Sequence, residues 1–377
     1  MKKTIRGLLL CVMLLSLVAC DSVREKLPRQ TEVTSKSIQD VFGEHGMKAG
    51  TCVSPQVINS KVMEELILTQ FNSVTMENDM KPDYILDQQM SQSEGKLTVH
   101  FREDTLTVLR WAKANEISMR GHVMIWHSQT PEWIFHENFD VQDAYVDRDE
   151  MLSRMESLIS GIFEELDRLG YLECFYAYDV VNEAWLEDGS MRETLWSEII
   201  GEDYLWYAFY YADKYAPESV DLYYNDYNQQ YKADTLIDFV ETLVDKNGRY
   251  LIDGIGLQAH LFTSDDLRQY FEAVDKIAET GLKIELTEVD VGLGRYQVPT
   301  ATSNENLRAQ GRFMYELIGG MFERADAGKI KMDAITFWGF SDAASWRAEY
   351  HPQLYDEELF PKHALYGALQ IKEYAGY

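Results

Sequence analysis

Asp179-Val180-Val181-Asn182-Glu183-Ala184-Trp185 is an apolar run that closes on an amide, a carboxyl and an indole. The pattern recurs along the chain. Runs of strand length end near Val53, Glu77, Trp126, Glu183, Asn225, His260, Glu288 and Trp338, and seven of the intervals between them hold, or have room for, an amphipathic helix. Residues 176–181, 220–224, 254–258, 282–286 and 334–338 are continuously apolar rather than alternating, as strands buried on both faces are. Eight strand–helix units with chemically capable residues at the strand ends read as an α/β fold, a (β/α)8 TIM barrel.

Helical spacing supports that reading. Met151, Leu152, Met155, Leu158, Ile159, Ile162, Phe163, Leu166 and Leu169 mark one buried face, and Gly170 stops the helix. The same period recurs over residues 236–244, 267–277 and 314–322. The segments 127–149 and 341–360 lack it and are long, and in a barrel such loops belong on the C-terminal face, where sites form.

The chain's first residues are expected to lie outside the fold. Lys2, Lys3 and Arg6 precede a short apolar stretch ending Leu17-Val18-Ala19-Cys20, which reads as a lipoprotein signal over residues 1–19 with Cys20 as the lipidated residue. Residues 20–36 are expected to be a flexible tether, and residues 37–377 a single catalytic domain. The formal charge is −28, and losing the signal removes three positive charges more. So acidic a surface argues against nucleic acid or anionic membrane as a partner, leaving the lipid as the only membrane contact. Cys52 and Cys174 fall on expected strands as buried free thiols, and no cysteine or histidine cluster has metal-ligand spacing. No metal or organic cofactor is expected, and a monomer is the default.

Glu183 ends the fourth strand and Glu288, in Glu285-Leu286-Thr287-Glu288-Val289-Asp290, the seventh. Those strands face each other across a barrel mouth, so two carboxyls can meet one bound molecule. Glycoside cleavage asks for that pair: one group protonates the leaving oxygen, the other attacks the anomeric carbon or activates water. His122, His127, His260 and His351 fall near strand ends or the loops that follow. His260 is the best placed, with Gln258 on its side of the strand, and an Asp290–His260–Glu288 string would hold Glu288 charged. Trp126, Trp133, Trp185, Trp338 and Trp346 gather at the same end, where indoles would stack on sugar rings.

These motifs, taken in order, resemble glycoside hydrolase family 10, the endo-β-1,4-xylanases. The likeness runs from about residue 37 to the end through Phe71 to Lys81, Arg120-Gly121-His122, Trp126 to Pro131, Asp179 to Trp185, Tyr224-Asn225-Asp226-Tyr227-Asn228, Gly256 to His260, the Glu288 run, and Trp338 to Asp342 with Ser345-Trp346. The resemblance implies a retaining enzyme on xylan and xylo-oligosaccharides, with Glu183 as acid/base and Glu288 as nucleophile. It implies that Asn182, His122, Trp126, Gln258, His260 and Trp338 line the sugar subsite beside the cleaved bond. Glu77, Asn78, Lys81, Gln129 and Trp346 would serve the subsites beyond it, Asn225 would also bind substrate, and Asp290 would support. His363 departs from the pattern and is expected to tune a rim contact; Met119, Val123 and Met124 are plain apolar exchanges.

Overall fold

The computed structural model describes residues 25–295, 298 and 302–377; the signal segment, Cys20 and the start of the tether lie outside them. The strands are β1 (Lys48–Val53), β2 (Ser73–Met76), β3 (Ser118–Gly121), β4 (Phe175–Asn182), β5 (Asp221–Asp226), β6 (Gly254–Leu257), β7 (His260–Phe262), β8 (Lys283–Gly292) and β9 (Ala334–Phe337). All pair in parallel, and β1 closes on β9 while β6 pairs with β8. β6 and β7 are two pieces of one barrel strand, parted at Ala259, whose φ is +61°. The result is a closed eight-stranded (β/α)8 barrel. The seventh barrel strand of the sequence reading is therefore β8.

Continuous apolar runs became strands because both faces are covered, the inner by barrel side chains and the outer by helices. The expected helices appear as Arg148–Arg168, Gln229–Thr242, Leu267–Ile277 and Asn304–Asp326. The run ending near Trp126 is strand only to Gly121; beyond it, a single bridge joins Ile125 to Val181. The long loop after β3 is anchored from below by buried Arg154, which donates to the carbonyls of Ile134 (2.6 Å) and His136 (2.7 Å). In the loop after β9, Gln353 Nε2 donates to Trp338 O (2.8 Å), and Lys362 Nζ donates to Asp342 Oδ2 (2.8 Å).

Three expectations need correction. The described part of the tether is laid on the barrel: Gln30–Val33 is a short helix, Arg308 pairs with Glu25 (2.6 Å), and the Tyr366 hydroxyl donates to Pro28 O. The packed chain thus begins before residue 37. Cys174 ends a turn ahead of β4 and is only half-buried, whereas Cys52 is buried on β1; both are free. His363 is no rim residue. It is buried beneath the helix Asn304–Asp326, against Gly311, and its Nδ1 donates to Tyr374 O (2.6 Å).

Inside the barrel, Arg120 of β3 lies 1% exposed between Asp179 of β4, which it bonds, and Glu285 of β8, which it reaches at 2.6 Å. Its guanidinium also lies 4.3 Å from the Tyr223 ring centroid, and the Tyr223 hydroxyl donates to Glu285 Oε1 (3.1 Å). Burial raises the Glu285 carboxyl to about 7 against the pull of Arg120. Removing the guanidinium leaves two buried carboxyls without their cation. Arg120→Met is expected to destabilise the fold by roughly 3–5 kcal/mol, read from urea unfolding midpoints at neutral pH; a change within experimental error would refute it.

Candidate active site

The mouth at the C-terminal ends of the strands is a cleft of about 520 Å³. Glu183 and Glu288 both line it, with Glu77, Asn78, Lys81, His122, Trp126, Gln129, Asn182, Gln258, His260, Trp338 and Trp346. The two carboxyls share a hydrogen-bond chain. Gln258 Nε2 donates to Glu183 Oε1 (2.8 Å) and to Asn182 Oδ1 (3.2 Å). Asn225 Nδ2 donates to Asn182 Oδ1 (2.9 Å) and to Glu288 Oε1 (2.7 Å). Glu183 further accepts from Asn182 Nδ2 (3.1 Å) and from the Trp126 indole at its other oxygen (3.1 Å).

Glu288 has a different setting. His260 Nε2 donates to Glu288 Oε2 (3.1 Å), and His260 Nδ1 donates to Asp290 Oδ2 (3.0 Å). Register makes this string possible, because His260 of β7 is paired directly with Asp290 of β8. Burial alone would push the Glu288 carboxyl up, but the His260 bond, the imidazoles of His122 and His260, and the Asn225 amide hold it at about 2. Burial likewise works against charge on His260, yet Asp290 and Glu288 raise it to about 10. At neutral pH His260 is thus an imidazolium facing a charged Glu288.

Asp290 is pinned in turn. Arg347 Nη1 donates to its Oδ1 (2.6 Å) and the Trp346 indole to its Oδ2 (3.1 Å). Trp346 is 55% exposed, so a side chain open to ligand touches the carboxylate that orients His260. His122 is held through Nδ1 by Asp179 (2.9 Å), and its ring lies 5.3 Å from buried Trp338. At the other end, Lys81 Nζ donates to Gln129 Oε1 (2.7 Å) and Asn78 Oδ1 (3.1 Å) and sits 4.9 Å from the Trp126 ring. Burial lowers the Lys81 ammonium and raises Glu77, each partly offset by the other's charge.

Several expected residues fall elsewhere. Asn225 has no exposed surface, and its amide is spent on Asn182, Glu288 and the Thr287 hydroxyl (2.6 Å), so it positions rather than binds. Gly256 makes room for it: a Cβ there would run into Asn225 Oδ1. Trp133 packs edge-on to Phe139 and Trp185 against Phe239, both on the core instead of in the cleft. His127 is exposed beside Trp126, and His351 bonds Glu357 (3.1 Å). Asp342, His351 and Glu357 bring three donor atoms within 4.8 Å, a grouping that sequence spacing hid, though Lys362 already bonds Asp342. Sequence reasoning missed Tyr227, Asn228, Phe262, Arg295 and Arg347 as lining residues. The signal for three of them was adjacency, to Asn225-Asp226 and to Trp346.

Residues 37–371 match the family model described as glycosyl hydrolase family 10. Endo-1,4-beta-xylanase B of Butyrivibrio fibrisolvens is 34% identical over 339 residues, covering 86% of this chain and 51% of its own length. The bifunctional endo-1,4-beta-xylanase XylA of Ruminococcus flavefaciens is 36% identical over 339 residues, covering 88% of this chain and 34% of itself. The chain thus spans about half of the first relative and a third of the second. Among solved structures, the CBM22-1–GH10 modules of a Clostridium thermocellum endo-1,4-beta-D-xylanase, complexed with xylohexaose, superpose with a TM-score of 0.79 at 30% identity, over 89% of this chain and 67% of that one.

The imidazolium has a consequence for stability. His260 is raised above its unfolded value of about 6.5, so the stability it contributes is complete below that pH and is lost as pH rises through about 10. His260→Gln is expected to flatten this alkaline decline, measured as urea midpoints between pH 6 and 10. An unchanged slope would mean that the ring is neutral in the folded protein.

Proposed function

The chain belongs to glycosyl hydrolase family 10, and on that premise we propose that it is an endo-1,4-β-xylanase cleaving internal xylosidic bonds of xylan with retention of configuration. One observation carries the reading: two glutamates share a cleft and a hydrogen-bond chain, and only one of them is held charged by an imidazolium. Glu288 attacks the anomeric carbon and forms a glycosyl ester, while Glu183 gives its proton to the departing oxygen. Glu183 then takes a proton from water, whose oxygen attacks the same carbon and frees Glu288. Retention needs carboxyls about 5–5.5 Å apart, and a pair linked through Gln258, Asn182 and Asn225 suits that closeness.

The surrounding groups fit these roles. Asn182 is pinned from two sides, by Gln258 and Asn225, which suits a donor to the sugar 2-hydroxyl, a contact that strengthens in the transition state. His122, Trp126 and Trp338 wall the subsite beside the cleaved bond. Glu77, Asn78, Lys81 and Gln129 offer a polar bed for the next sugar toward the non-reducing end. Trp338 is only 6% exposed, and so immobile a wall favours xylose over a sugar with an added hydroxymethyl group. The sequence before the barrel supports a membrane anchor through lipid on Cys20, and Cys20→Ser is expected to move the protein from the membrane to the soluble fraction.

Xylohexaose cleaved in heavy-oxygen water and followed by proton NMR is expected to release the β-anomer first. Early α-anomer would mean inversion and remove Glu288 as nucleophile. Glu183→Ala is expected to slow xylan hydrolysis by roughly a hundred- to ten-thousand-fold, and Glu288→Gln to end turnover. Faster cleavage of carboxymethylcellulose than of xylan would overturn the substrate assignment.

A further inference from the structure

β5 faces two ways. Its inward residues Tyr223 and Asn225 serve Arg120 and Glu288; its outward residues Tyr224 and Asp226 are buried between barrel and helices with no part in the chemistry above. The Tyr224 hydroxyl donates to Asp226 Oδ2 (2.5 Å) and accepts the Ala184 N–H (2.9 Å). Asp226 Oδ1 accepts from Lys232 Nζ (2.6 Å) and from the Tyr227 N–H (2.8 Å). Lys232 Nζ also donates to Trp185 O (2.7 Å). Its side chain is 0% exposed, and the helix Gln229–Thr242 leaves helical geometry at this residue, with φ −132°.

A buried ion pair and a distorted helix are poor ways to fill space between a helix and a barrel, where apolar side chains pack as well without the desolvation cost. What they hold is the backbone of residues 183–185. Glu183 has φ +57°, a conformation non-glycine residues seldom take and keep only where the surroundings over-determine it. The Glu183 N–H is tied to Asn225 O (2.9 Å), and the Glu183 carbonyl accepts from Arg192 Nε (2.9 Å). The Ala184 carbonyl accepts the Arg192 N–H (2.8 Å). The Ala184 N–H and the Trp185 carbonyl are left to Tyr224 and Lys232. Burial pushes the Tyr224 phenol well above its ordinary range, so it stays a donor to Asp226.

We propose that Tyr224, Asp226 and Lys232 form a positioning unit for Glu183: they clamp the left-handed turn after β4 from behind the barrel and so aim its carboxyl at the leaving oxygen. This rests on the reading of Glu183 as the acid/base. Through that role the unit bears on proton delivery to the leaving group and on the later removal of a proton from water, and the first of these depends on the leaving group. A leaving group stable as an anion departs without that proton; a xylose hydroxyl does not.

The test compares kcat/KM, which reports glycosylation, on xylohexaose and on an aryl xylobioside with a dinitrophenolate leaving group. Tyr224→Phe removes one oxygen and leaves Asp226 with Lys232 and Tyr227. It is expected to lower kcat/KM on xylohexaose roughly tenfold, the size of one lost hydrogen bond, and on the aryl substrate far less. The double variant Asp226→Asn/Lys232→Met removes both charges together, leaves neither unpaired, and is expected to shift the ratio the same way. Parallel loss on both substrates, or no loss on either, would overturn the proposal, since a merely structural role acts on both alike. Glu183→Ala is the reference. If it shows no leaving-group dependence, the acid/base reading falls and the inference with it; if it does and Tyr224→Phe does not, the inference alone falls.

Discussion

A single guanidinium inside the barrel, that of Arg120, holds Asp179 and Glu285 from the neighbouring and the opposing wall. A charge with no solvent must be matched where it stands, so the pairing sets how β3, β4 and β8 approach. Asp179 is shared: Arg120 donates to both of its oxygens, and Oδ2 also accepts from His122 in the floor of the cleft. The polar core therefore does two jobs. It compensates the buried cation, and it orients His122, which lines the floor of the cleft.

From that floor upward, the site separates two groups of one chemical type. Glu288 lies against His260, whose charge is kept by Asp290, which Arg347 and Trp346 hold in turn. The Glu183 carboxyl accepts from neutral donors, an indole and two amides. β5 connects the halves, because alternation sends Asn225 inward to Glu288 and Tyr224 outward to the turn carrying Glu183. One strand's register thus aligns both carboxyls, and a slip of one residue would misplace both.

Much of this was legible in the chain. Strands buried on both faces and helices of one apolar stripe leave period signals, and a barrel puts its strand ends at one mouth whatever the loops do. Hence Glu183, Glu288, His260, Gln258 and Trp126 could be assigned to the cleft before any distance was known. Trp133 and Trp185 were misread because composition counts indoles at a mouth without showing which way each ring turns. Asn225 was misread because a polar residue at a strand end looks alike whether it meets solvent or two buried neighbours. Lys232 gave no signal, since cations on helices are ordinarily solvated, and Arg347 offered only its place beside Trp346.

Sequence alone determined the barrel, the order of its units and the two carboxyls at its mouth. Those follow from periodicity and from residue chemistry at strand ends, which are local properties. Tertiary structure alone decided which carboxyl lies against an imidazolium, which amides line the cleft and which are buried behind it, and how the turn at Glu183 is held. Those depend on atoms distant in the chain, such as those of Glu183 and Glu288, 105 positions apart, brought within hydrogen-bond reach of linked partners. Burial and proximity set charge and direction, and neither is a property of a residue until the chain has closed around it.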